Sequence, residues 1–94
     1  MLRRLNFDEK IEMVKRGENL NILINDEDYL IRAAVAEQGY GLDKLINDES
    51  EFVRIIVAEQ GYGLDKLIND EDDWVRETAF KTQKEIKEIK HVNI

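Results

Sequence analysis

An all-α chain built as a short solenoid is the fold this sequence predicts, and three observations carry the expectation. Residues 35–49, VAEQGYGLDKLINDE, recur unchanged at residues 57–71, a displacement of 22. Within each 22-residue unit the apolar residues keep helical spacing, and no run alternates as a strand would. Proline is absent, and the five glycines fall just after predicted helix ends. A period of this length means one small helical unit stacked on copies of itself, so function is expected on a surface made by repetition rather than in one cleft.

Residues 1–25 read as an N-terminal cap and degenerate repeat. Their long helix is expected from about Asn6 or Asp8 to Arg16, after which Gly17, Leu20, Leu23 and Ile24 align with Gly39, Leu42, Leu45 and Ile46. Residues 26–47 form the first full repeat, with a long helix from about Asp26 to Gln38. The Asn25-Asp26 pair fits an N-cap carboxylate, followed by acids that suit the positive end of the helix dipole. Gly39 suits a left-handed helix end, and Leu42, Leu45 and Ile46 mark a second, short helix, α or 3₁₀. Residues 48–69 repeat the pattern with a long helix from Asp48 to Gln60. Four registers align along the chain: Leu30, Phe52 and Trp74; Ile31, Val53 and Val75; Ala34, Ile56 and Thr78; Val35, Val57 and Ala79. They describe one apolar helix face, and the growing size of Leu30, Phe52 and Trp74 suggests a core filled differently by each unit. Residues 70–94 never reach the glycine and read as one longer capping helix, with Ile86 and Ile89 inward and lysines outward. With Met1 at the start and atypical units at both ends, the expectation is a complete small protein of about three repeats between caps.

Ninety-four residues make one domain, able to bury roughly two thirds of its unfolded surface. Charged residues at 37% and hydrophobic ones at 43% belong to a folded, soluble chain. No apolar run approaches the roughly 20 residues of a bilayer crossing, and no signal-like segment opens the chain, so a cytoplasmic protein is expected. The chain has no cysteine, which excludes disulfides and thiolate chemistry. Net charge is -7, but residues 1–16 and 81–94 each sum to +2 while residues 17–80 sum to -11. Direct nucleic-acid binding is therefore disfavoured and a basic partner favoured.

The frame at Asp48, Glu49, Val53, Arg54, Val57, Ala58, Glu59, Gln60 and Gly61 resembles HEAT-like repeats and their short relative, the variant leucine-rich repeat. That resemblance covers roughly residues 20–80. It implies a right-handed superhelix of alternating long and short helices and a binding role without a common chemistry. Where the variant leucine-rich repeat commonly has Asn-Pro at the turn, this chain has Gln-Gly-Tyr-Gly. In such repeats an arginine after a core valine commonly bonds the aspartate opening its own or the adjacent unit. The resemblance thus implies that Arg32, Arg54 and Arg76 form a structural ladder with Asp26, Asp48 and Asp70; an anion-binding arginine row is the competing reading.

The acids Asp26, Glu27, Asp28, Asp48, Glu49, Glu51, Asp70, Glu71, Asp72 and Asp73 would line one edge of the stack, neighbouring helices being roughly 8–10 Å apart. Capping and solubility account for half of that charge; the sharper reading is a surface for a basic partner or one imitating phosphates. Tyr40 and Tyr62, in identical Gly-Tyr-Gly turns, are either partner anchors or wedges between long and short helix, and Trp74 is a candidate contact. Ser50, Thr78, Thr82 and His91 cannot supply a nucleophile, base and orienting group together, and the paired carboxylates are exposed caps. No enzyme activity, cofactor or metal is expected. Two functions compete: a protein-interaction scaffold, and a phage or mobile-element type inhibitor whose acidic stripe occupies the nucleic-acid channel of a basic enzyme. Self-association through the caps is the blander third.

Overall fold

Nine-residue and four-residue helices alternate along the first two thirds of the chain. The computed structural model describes residues 4–92, with side chains followed as far as Ile89. The outermost parts of the two caps and the side chain of His91 lie outside the described residues. The helices are α1 (Phe7–Lys15), α2 (Leu20–Leu23), α3 (Tyr29–Glu37), α4 (Leu42–Leu45), α5 (Glu51–Glu59), α6 (Leu64–Leu67) and α7 (Asp73–Val92). There is no strand among the described residues. The long helices lie side by side in the order α1, α3, α5, α7, and each short helix touches the long helix before it and the one after. Principal extents of 48 × 31 × 18 Å make an elongated slab.

Each long helix starts at a side-chain cap. The Asn6 side chain accepts from the Glu9 N–H while the Glu9 carboxylate accepts from the Asn6 N–H, a reciprocal capping box. Asp28 accepts from Leu30 N–H, Ser50 from Phe52 N–H, and Asp72 from Trp74 and Val75 N–H. The starts at Tyr29 and Glu51 correct the expected starts at Asp26 and Asp48. The reason is local: the Asp26, Asp48 and Asp70 carboxylates accept from the amides two residues on, closing a turn before the helix begins. The cap role passes to the residue that follows that turn.

Helices α1, α3 and α5 end in Schellman motifs. For α3, Gly39 N–H donates to Ala36 C=O and Tyr40 N–H to Val35 C=O; α5 repeats both bonds through Gly61 and Tyr62. A second left-handed residue then launches each short helix: Asn19, Gly41 and Gly63, at φ 56°, 63° and 60°. Besides the backbone strain, a Cβ at Gly41 would meet Ile24 Cδ1, and one at Gly63 would meet Ile46 Cδ1, so each glycine also lets the preceding unit close in.

The core runs through the stack. Ile31, Val35, Val53, Val57, Val75 and Ala79 face it from the long helices, and Leu23, Leu45 and Leu67 from the short ones, all essentially inaccessible. Burial of each large member is worth about 1.5–3 kcal/mol.

Two sequence expectations about the core are corrected. Leu30, Phe52 and Trp74 are exposed at 41%, 39% and 62%, not packed inside. Each sits one residue, about 100° of helix, before the buried Ile31, Val53 or Val75, which turns it onto the outer face. Ile86 and Ile89 are likewise exposed, at 38% and 61%. They share the helix face of Val75 and Ala79, but 20-residue α7 is about 30 Å long and 9-residue α5 only about 13 Å, so the second half of α7 outruns its support.

Candidate functional site

Three cation–carboxylate pairs with the same spacing link successive units. Arg32 donates from Nε and Nη2 to the two oxygens of Asp48 at 2.8 and 3.1 Å, and Arg54 does the same to Asp70 at 2.9 and 3.2 Å. The third nitrogen of each arginine donates to the backbone carbonyl of its own unit's aspartate, Asp26 for Arg32 and Asp48 for Arg54. Lys10 Nζ supplies the first rung, 2.7 Å from Asp26 Oδ2. Both side chains of every rung are largely buried, with exposures between 8% and 15%. The bond to the Asp48 carboxylate is the main cause holding the Arg32 guanidinium above its ordinary pKa, against the lowering effect of burial. A raised value means that deprotonation of Arg32 removes this contribution only at extreme alkalinity, above the ordinary arginine range.

Arg76 is placed differently from the other two. It bonds the Asp70 carbonyl and pairs with Asp73 in its own first turn. The position 16 residues on, where Arg32 and Arg54 find their aspartates, is Val92. Lys10, which sequence reading passed over, stands 22 residues before Arg32, so the register itself carried the signal. A second set recurs at the same interval: Lys44 Nζ donates to Asn25 and Lys66 Nζ to Asn47, joining α4 and α6 each to the unit before it.

The ten acids expected to make a stripe thus separate into groups. Asp26, Asp48 and Asp70 are inside the rungs, and Asp28 and Asp72 cap helices. Asp73 is exposed but paired with Arg76, and Glu71 lies 4.0 Å from Arg54. Glu27, Glu49 and Glu51 are exposed with no ion pair among the described residues. Tyr40 and Tyr62 are partly exposed at the glycine turns.

The other feature is the outer face of the long helices. Leu30, Phe52 and Trp74 mark its row on α3, α5 and α7, and the Tyr29 ring meets Phe52 edge-on with centroids 5.7 Å apart. One turn on, the half-buried Ala34 and Ile56 continue the apolar surface, while Ala33 and Ile55 are buried in the core. Glu37 and Glu59 stand two turns on, both exposed and without ion pairs among the described residues. Between α5 and α7 this face opens into a groove of about 540 Å³ lined by Glu59, Trp74, Glu77, Lys81 and Glu85, among others. The clue missed in the sequence was that these large apolar residues lie in first turns, immediately after acidic loops.

Ser50 is committed to its cap and Thr78 Oγ1 donates to the Trp74 carbonyl. No three His, Cys, Asp or Glu side chains gather as a metal-holding group among the described residues, and no described helix is long and apolar enough to cross a membrane. Comparison with protein-family models, curated proteins and solved structures gives no match.

Proposed function

We propose that this chain is a non-catalytic protein-interaction module of the cytoplasm, a short α-solenoid of HEAT-like or variant leucine-rich repeat type. Support for the solenoid comes from rungs, glycine turns and caps that recur at the 22-residue interval of the sequence. The observation that carries the binding role is the exposed row Leu30, Phe52 and Trp74 on three neighbouring helices. Contiguous apolar surface rimmed by polar residues is characteristic of interaction sites, and aromatic side chains dominate their energetics. The hydroxyls of Ser50 and Thr78 are engaged in backbone bonds, which supports a role without chemistry.

Mimicry of nucleic acid is the lesser reading. Five of the acids it would use, Asp26, Asp28, Asp48, Asp70 and Asp72, are engaged in rungs and caps. A photo-crosslinking residue placed in separate variants at Phe52, at the exposed Glu49 and Glu71, and at the exposed Asp43 on α4 as control tests the choice in the native host. Discrete adducts from position 52 that persist at about 0.5 M salt are expected, because screening at that strength leaves apolar contact intact. Adducts confined to positions 49 and 71 and abolished by salt would replace this reading with mimicry; none at any of these positions would remove both.

A further inference from the structure

The outer face has dimensions and charges that specify its ligand more closely. Neighbouring packed helices lie about 8–10 Å apart, so Leu30, Phe52 and Trp74 are anchor points repeating at about that interval. A helix laid across them rises 1.5 Å per residue and returns the same side of itself every seven residues, after about 10 Å. An extended strand does not fit: its same-side residues recur at about 6.6 or 13 Å. Width agrees as well. From Phe52 to Glu59, or from Leu30 to Glu37, is seven residues, about 10 Å along the receiving helix, which is the diameter of a helix with its side chains.

Both borders of that strip are acidic over α3 and α5, whereas on α7 the position seven residues after Trp74 is Lys81. Glu37 and Glu59 stand on one side, and Glu49 and Glu51 on the other, all exposed and without ion pairs among the described residues. Glu77 and Glu85 add charge in the α5–α7 groove, where Lys81 offsets part of it.

Resting on the interaction role argued above, we propose that this face receives a basic amphipathic helix of a partner protein, its apolar anchors at i, i+7 and i+14 over Leu30, Phe52 and Trp74. Lysines or arginines on both flanks of that helix meet the two acidic borders. The apolar row supplies the contact, and the borders set its orientation and reject acidic helices.

The test uses the full chain and three helix-stabilised synthetic peptides: one with leucine at i, i+7 and i+14 and lysine flanks, a scramble of the same composition, and one with glutamate flanks. Titration calorimetry should give at least tenfold tighter binding for the ordered basic peptide than for either control. Phe52→Gln with Trp74→Gln should weaken it at least tenfold, and Glu37→Lys with Glu59→Lys should cut the preference over the glutamate peptide at least fivefold, each variant retaining the parent's helical circular dichroism. Equal binding of scramble and ordered peptide overturns the proposal. So does a chain that is dimeric by light scattering and becomes monomeric with Trp74→Gln, because the face is then covered by a second copy. If the peptide fails while crosslinks from position 52 persist, the partner has another chemistry and only the interaction role survives.

Discussion

The two copies of the fifteen-residue run and the six positions before each copy do opposite work. In the run, Val35 and Val57, Ala36 and Ala58, and Leu45 and Leu67 are inaccessible, the glycines hold left-handed backbone, Asp48 and Asp70 receive the previous unit's arginine, and Lys44 and Lys66 reach back to an asparagine. Before it, Tyr29, Leu30, Ala33 and Ala34 become Glu51, Phe52, Ile55 and Ile56. Of these changed positions, 29, 30, 51 and 52 are exposed, 34 and 56 are half-buried, and 33 and 55 are buried; the buried Ile31 and Val53 differ by one methylene, and Arg32 and Arg54 do not change. The residues that bond or pack one unit onto the next are identical, whereas the exposed positions among the six differ, together with the buried pair Ala33 and Ile55. Glu37, Gln38 and Asp43 and their copies are also identical yet exposed, and nothing in the fold explains that.

That contrast breaks most visibly if the gripping side proves tolerant. Leu67→Ala removes a fully buried side chain between α6 and its neighbours and should cost about 2–5 kcal/mol in urea unfolding. Arg54→Met comes next, at about 3 kcal/mol, because it leaves the Asp70 carboxylate largely buried without its cation. Adding Asp70→Asn to that variant should recover part of the loss, which separates the cost of a stranded charge from the worth of the pair. Gly63→Ala should cost about 1–2 kcal/mol, combining left-handed backbone strain with the clash against Ile46. Ser50→Ala should cost about 1 kcal/mol through loss of the α5 cap, readable as a lower unfolding midpoint at unchanged m-value.

The gripping side was the more legible in the sequence. Repetition exposes it directly: a glycine, a buried leucine or a paired aspartate must return at the same interval because its neighbour does, and Gly39, Leu45 and Asp48 could be read that way. Helix starts were misread by three residues because Asp26 and Asp28 are equally good caps on paper, and Asp26 is instead taken by the turn to the Asp28 amide and by Lys10. The outward side was misread more seriously. Leu30 and Phe52 look like core by residue type, and Ile86 and Ile89 by spacing, since periodicity tells which side chains share a face but not whether anything covers it. Coverage depends on how far α7 extends past α5, a relation between elements that no single stretch of sequence contains.

The division between gripping and outward surfaces is tested most directly by one comparison of unfolding free energies, followed by far-ultraviolet circular dichroism in urea. The triple variant Leu30→Gln, Phe52→Gln, Trp74→Gln should lose less stability than the single variant Leu67→Ala, although it removes far more apolar bulk. A triple variant less stable than Leu67→Ala would mean that the outer row is part of the core, and the account of this face as a binding surface would be contradicted.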